Sequence, residues 1–288
     1  MLSRIADSLF WLNRYMERTD GMLRTMRTHY IQLLDKKENG NASWRPVLEL
    51  YSAANAETIA NIEFDKDACL HHLVLDGENM NSLKVLLTRA RENARGAQDH
   101  ITKEVWEQVN YIYHSINNTE LKEQLASDEA LQLIDSMARQ TVQYTGVTDV
   151  TMQRGLGWIF MNLGKYIERS LETLVNTDKQ FQQMNYHVEV TQDIIYWRYL
   201  LLCLSGYEMH LKNYQSKNFN YNVLHQVLFN EHFPRSLVYS LSRIQKYLND
   251  AVNETISEDH AALSRNFGRL YSRVRYTDLD QLDNNNLQ

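Results

Sequence analysis

One short charged pattern occurs twice in this chain. Arg14-Tyr15-Met16-Glu17-Arg18 lies near the start, and Lys165-Tyr166-Ile167-Glu168-Arg169 stands 151 residues later. A glutamate in such a setting can act as a general acid or base, which makes Glu17 and Glu168 the candidate catalytic groups. Arg14, Arg18, Lys165 and Arg169 can hold a carboxylate or phosphate beside it, arginine by its planar fork and lysine as a point charge. A third charged stretch is Arg89–Ile101. In it Arg91 and Arg95 are four residues apart and project together from a helix, with Asn93 off that face. Arg91, Asn93 and Arg95 therefore form a candidate anion site. The alternative is a surface helix closed by Gly96.

Known catalytic patterns are absent from the sequence. There is no G-x-x-x-x-G-K-[ST] phosphate loop and no G-x-S-x-G nucleophile elbow. No glutamate has a histidine three residues on, as a di-iron bundle would require, and no histidine clusters with cysteine. No metal and no cofactor are expected. The net charge of −6 argues against nucleic acid as a partner. Arg265, Arg269, Arg273 and Arg275 make a local basic stretch, read as a solvated terminal helix before an acidic, Asn-rich tail. Cys69 and Cys203 sit among apolar residues and read as buried free thiols of a reducing compartment. The N-terminus lacks a signal-peptide pattern, and the run Tyr199–Leu204 is far shorter than a membrane span. These features predict a cytoplasmic chain with no membrane partner.

The elements that must carry the charged pairs are helices. Only 2 Pro and 10 Gly occur in 288 residues, which leaves room for long helices and little for a turn-rich β fold. Apolar Ile5, Leu9, Leu12, Met16, Leu23, Met26 and Tyr30 recur at helical spacing over Ser3–Leu34. Lys36–Ser43 reads as a loop. Further helices are predicted over 44–61, 66–76, 79–97, 100–117, 127–144, 152–177, 187–214, 220–230, 234–256 and 258–275. Ser127 is the expected cap of the helix at 127, and Pro234 is expected in a first turn.

The duplicated charged pattern is one of several matches. Trp44–Ala53 is echoed by Trp197–Gly206, and Leu70–Leu83 by Leu224–Leu237. Arg89 matches Arg243, and the order of the matches is kept. This predicts a tandem duplication: repeat 1 over 1–118, an intervening helical segment over 119–150, repeat 2 over 152–275, and a disordered tail over 278–288. The expected fold is all-α, one helical-bundle domain over 1–288 with pseudo-two-fold symmetry.

On a helical wheel Arg14, Glu17 and Arg18 fall opposite the apolar stripe, yet Phe10 and Trp11 share their face. Lys165, Glu168 and Arg169 share theirs with Trp158 and Met161. Aromatic groups beside ordered charges predict a second buried contact there. Three readings stay open. Glu17 could face Arg169 and Glu168 face Arg18 as a register-setting structural pair. The same residues could line a ligand or catalytic pocket. They could also be solvated helix pairs.

"LFWLNRYMERTD", "RENARG", "EVWEQVN", "GWIFMNLGKYIERS" and "FPRSL", with the Trp197 helix, resemble the alpha-E family over about 1–275. That family is predicted to be all-helical and takes its name from the Glu-Arg motif. The resemblance implies Glu17–Arg18 and Glu168–Arg169 as the family's Glu-Arg pairs, and Arg91, Asn93 and Arg95 as its arginine-rich segment. It also implies a circularly permuted ATP-grasp protein as partner, with a transglutaminase-like protease, in a system that makes or modifies peptides. The family commonly has Asn-Pro before the serine of one helix start. Here the first copy has Asn79-Met80-Asn81-Ser82, while the second keeps Pro234 after Phe233. The expected function is a non-catalytic helical partner of an ATP-grasp peptide or amide ligase. The alternatives are a stand-alone enzyme acting on a peptide or amide, and a self-associating homo-oligomeric scaffold.

Overall fold

A computed structural model describes residues 1–35, 43–187, 192–215, 218–253 and 258–277. Among these residues there are fourteen α-helices and no strand, so the fold is all-α as expected. The chain divides into two compact units, Met1–Gly164 and Lys165–Gln288. The tail from Asp278 and the loop at 36–42 lie outside the described residues, as do 188–191 and 254–256 of two expected helices.

The first unit is built on α1 (Ser3–Asp35), whose stripe Ile5, Leu9, Leu12, Met16, Leu23, Met26 and Tyr30 is buried along its length. That stripe packs against α5 (Leu83–Gly96) and α8 (Ala130–Thr151), and α6 (Lys103–Ile116) packs on both of those. The four helices thus close into a bundle, each contacting two neighbours. Buried polar ties fix their register. The Tyr144 hydroxyl donates to Asn13 Oδ1 at 2.6 Å, and Asn13 Nδ2 donates to the Met161 carbonyl at 2.9 Å. At the surface, Arg27 of α1 pairs with Asp135 of α8. The short helices α2 (Arg45–Tyr51), α3 (Ala56–Ile62), α4 (Lys66–Val74) and α7 (Leu121–Ala126) pack beside the bundle. Cys69 on α4 is free and buried, and desolvation, then Asp65 and Glu63, push its thiol up to about 12.

In the second unit α9 (Leu156–Gln182), which begins before the division, is followed by α10 (Ile194–Cys203), α11 (Tyr207–Asn213) and α12 (Phe219–Leu224). A π-helical turn, His225–Phe229, leads to α13 (Leu237–Asn253) and α14 (Glu258–Arg275), which pack together. Phe181, Trp197, Leu200, Leu201, Leu204, Val223, Val227 and Phe233 form its core. A polar chain threads that core. His210 Nδ1 bonds Gln226 Oε1 at 2.8 Å, the Tyr214 hydroxyl bonds His225 Nδ1 at 2.8 Å, and Asn230 Nδ2 donates to the same hydroxyl at 2.8 Å. Burial lowers the pKa of both His210 and His225 below the ordinary 6.5. A lowered folded value means the unfolded chain binds more protons in that window, so stability rises with pH and is lost as pH falls. We therefore expect the stabilising effect of these two histidines to be complete above pH 6.5 and to be lost as pH drops through their folded values. Melting temperatures between about pH 7.5 and 5 check this, with His210→Gln flattening the slope.

Several expected helices are interrupted. The span 44–61 breaks after Tyr51, where Ser52 is extended and its hydroxyl bonds His72 Nε2 at 2.7 Å; Asn55 then caps a new helix by accepting from Thr58 N at 2.8 Å. The span 187–214 breaks at Ser205, which takes a left-handed φ of 55°. Gly206 follows because a Cβ there would lie 2.7 Å from Gln226 Nε2 and 2.8 Å from Phe233 Cζ. Ser127 does not cap α8: it ends α7, and its hydroxyl accepts from Glu129 N at 3.1 Å in the turn that precedes α8. Pro234 lies before its helix, not in the first turn. The cap is Ser236, whose Oγ accepts from Tyr239 N at 3.0 Å.

Matching local structures occur 151 to 154 residues apart. Ser82 caps α5 as Ser236 caps α13, accepting from Val85 N at 3.3 Å. The turn before each serine is the same, Ser82 N to Asn79 O at 2.8 Å and Ser236 N to Phe233 O at 2.9 Å, although only the second contains proline. Asp76 N reaches back five residues to His71 O, and Asn230 N to His225 O. Asp76 and Asn230 then each accept from the backbone two residues on. Buried Trp44 meets Tyr30 edge-on, and buried Trp197 packs on Phe181.

Candidate functional site

The stripe of α1 fixes where its charged face points. Glu17 and Glu168 are each only 5% exposed, and Phe10, Trp11, Arg14 and Arg18 are half-buried, so the face opposite the apolar stripe is partly covered. Both carboxylates have partners, as polar groups at that depth need.

In the first unit Arg14 lies over the rings of Trp11, at 4.7 Å, and Phe10, at 5.8 Å. Trp11 in turn stacks on Tyr15 at 5.5 Å. Arg18 Nη1 donates to Asn81 Oδ1 at 3.1 Å, on the turn that opens α5. Arg14, Tyr15 and Arg18 thus form an ordered cation and aromatic array beside Glu17. Gly164 meets the same helix, because a Cβ built there would overlap the Phe10 carbonyl oxygen and lie 3.3 Å from Arg14 Cγ. Gly164, immediately before Lys165-Tyr166-Ile167-Glu168-Arg169, therefore lets backbone touch backbone.

The arginine-rich segment is not gathered on one point. Arg91 turns to α6, where its Nε donates to Asn110 Oδ1 at 2.7 Å and its guanidinium lies 4.6 Å from the Tyr113 ring. Asn93 Nδ2 donates back to the Arg89 carbonyl at 2.8 Å, and Arg95 is exposed. Arg91 thus ties α5 to α6 through Nε and its stacked guanidinium, while Nη1 lies 3.6 Å from Glu92 on its own helix.

In the second unit Arg169 lies over the Tyr166 ring at 5.2 Å and Nη1 donates to the Pro234 carbonyl at 3.3 Å. Lys165 lies 5.7 Å from the same ring. Thr173 Oγ1 donates to the Arg235 carbonyl at 2.8 Å, and Arg235 pairs with Glu172 at 3.6 Å. In each unit, then, the arginine of the Glu-Arg pair is tied to the turn that starts a matched helix, α5 or α13. Sequence reasoning weighted the charges and missed their tyrosines. Tyr15 and Tyr166 sit inside the repeated pattern, and Arg89 lies 6.0 Å from Tyr15, as its match Arg243 lies beside Tyr239 at 4.9 Å. The signal was in the repeated pattern of the sequence, which carries a tyrosine at the same place in both copies.

Among the described residues no group of three His, Cys, Asp or Glu side chains is placed to hold a metal ion, and no helix is long and apolar enough to cross a membrane. A polar groove between α6 and α8, lined by Glu104, Glu107, Gln108, Tyr111, Arg139 and Gln143, lies apart from the charged pairs.

The model of a family described as a predicted alpha-helical domain with a conserved ER motif matches residues 1–288. The chain is also similar to uncharacterized proteins of Mycobacterium bovis and Mycobacterium tuberculosis, at 24% identity over 264 residues. That alignment covers 86% of this chain and 30% of each relative, so the chain spans under a third of their length. No solved structure matches the chain.

Proposed function

We propose, because this chain belongs to the alpha-E family, that it acts as a non-catalytic helical partner of an ATP-grasp peptide or amide ligase. It binds the ligase or presents its peptide substrate, in a system that can include a transglutaminase-like protease. The observation that carries this reading is the length of the relatives, which hold this region within chains more than three times as long as the matched part. A module embedded in that way works beside other domains. The two buried free cysteines suit the reducing cytoplasm. The matched serine caps, wide turns and buried Trp/aromatic pairs support a second element of the reading, that the chain arose by tandem duplication. Light scattering of the chain with an ATP-grasp ligase of the same organism, at tens of micromolar, tests the partnership. A complex with raised ATP turnover is the expected result, and two separate species would count against it.

A stand-alone enzyme is the second reading, favoured by the equal burial of Glu17 and Glu168 at matched positions. The two readings part on one measurement. If these carboxylates hold structure, Glu17→Gln and Glu168→Gln each lower the melting temperature by about 3–8 °C, because a buried charged hydrogen bond contributes about 1.5–3 kcal/mol. If they do acid or base chemistry, activity on a peptide or amide vanishes while the melting temperature stays put. The structural outcome is the one expected.

A further inference from the structure

We propose that the second unit carries an oxyanion-binding site, formed by Arg243 and the hydroxyls of Tyr166 and Tyr239. Three tyrosines are drawn together where α9 meets α13. Tyr166 stacks on Tyr247 at 6.0 Å and lies 6.3 Å from Tyr239. Arg243, half-buried, enters this group with Nη2 donating to the Tyr239 hydroxyl at 3.1 Å. Two other arginines of the unit meet carboxylates: Arg235 meets Glu172 at 3.6 Å, and Arg275 meets Glu231 at 3.0 Å. Arg243 instead meets the phenols of Tyr239, Tyr166 and Tyr247, and makes no ion pair among the described residues. A permanently charged guanidinium taken partly out of water without a counter-charge is costly, and a bound anion removes that cost.

The donors match in chemical type and belong to one cluster of side chains. Tyr239 accepts from Arg243, which leaves its own proton to give. Tyr166 makes no hydrogen bond among the described residues, and burial pushes its phenol up to about 12, so at neutral pH it stays a donor. A guanidinium and two phenol protons suit a carboxylate or a phosphate oxygen. Arg89, the match of Arg243, lies over Tyr15 in the first unit but is exposed and turned to Met80 Sδ at 3.0 Å. The site is therefore assigned to the second unit alone.

The test uses the chain by itself, so its outcome is independent of any ligase complex. Inorganic phosphate and N-acetyl-diglycine, with N-acetyl-diglycine amide as the uncharged control, are titrated against tyrosine difference absorbance and calorimetric heat. Binding of phosphate alone assigns a tetrahedral anion, and binding of the peptide acid without its amide assigns a chain-terminal carboxylate. Either outcome supports the site, provided Arg243→Gln weakens binding about tenfold or more, the loss of a charged hydrogen bond, and exposed Arg273→Gln on α14 does not. Should Arg243→Gln fail to fold, Tyr166→Phe makes the same comparison, with an expected loss of about threefold or more. No response to either anion at millimolar concentration, or a response that both variants leave unchanged, overturns the proposal.

Discussion

Gly164→Ala is expected to lower the melting temperature of the protein by about 5–10 °C. A Cβ at this position has nowhere to go, because the nearest atoms are the Phe10 carbonyl oxygen and carbon, which belong to α1 and cannot rotate away. The two helices would have to separate, and the ties beside the contact would stretch with them. Those ties include the bond from Asn13 Nδ2 to the Met161 carbonyl, itself linked to Tyr144 on α8. Overpacking of this kind typically costs about 1–3 kcal/mol and sometimes more, which outweighs the ~0.5–1 kcal/mol that alanine gains over glycine within a helix. Two other glycines act as internal controls. At Gly157 a Cβ would sit 3.3 Å from Leu9 Cδ1, a side-chain tip that can move, so alanine there should be close to neutral. At Gly146, within α8, nothing lies within 4 Å, and alanine should raise stability slightly. Thermal melts of the three variants should therefore rank Gly146→Ala highest and Gly164→Ala lowest. An unchanged melting temperature for Gly164→Ala would mean that α1 and α9 do not meet there.

The helices were legible where apolar spacing was long and regular. The stripe from Ile5 to Tyr30 describes α1 almost end to end, and it is buried as read. Helix breaks were harder, because they depend on partners distant in sequence. Ser52 leaves the helical path to meet His72, and Gly206 exists to admit Gln226 and Phe233. Asn55 with Glu57 behind it is a start signal that could have been read locally. Helix α7 is six residues long, too short for periodicity to detect. The charged face was legible in outline. Phe10 and Trp11 beside Arg14 foretold burial, and Glu17 is buried. What remained hidden was the direction each arginine takes. Arg91 and Arg95 share a helix face in sequence, yet α6 supplies Asn110 and Tyr113 to the first and nothing described to the second. The tyrosine array of Tyr166, Tyr239 and Tyr247 spans two helices some eighty residues apart, a proximity no local pattern encodes.

The largest loss of stability is expected from Trp197→Ala. The side chain is fully buried, with Phe181 4.8 Å away on one side and Tyr196 edge-on at 4.9 Å. Removing it empties the centre of a core that also holds Leu200, Leu201, Val223 and Phe233. Deleting a core tryptophan costs about 3–5 kcal/mol, because transfer energy is lost and the cavity collapses only in part. The indole has a second role. Its N–H donates at 2.9 Å to Asn220 Oδ1, which also accepts from Gln192 N at 3.3 Å, and Asn220 is 1% exposed. Trp197→Phe keeps most of the volume but loses that donor, so it should cost about 1–3 kcal/mol. Hydrogen exchange separates the two effects. In Trp197→Ala the amides of α10 and α12 should lose most of their protection together, since both helices depend on the same core. In Trp197→Phe the loss should centre on the start of α10 and on Asn220. Equal exchange in the two variants would mean that the hydrogen bond adds nothing to the packing. Wild-type exchange in Trp197→Ala would mean that this tryptophan is not the centre of the second unit.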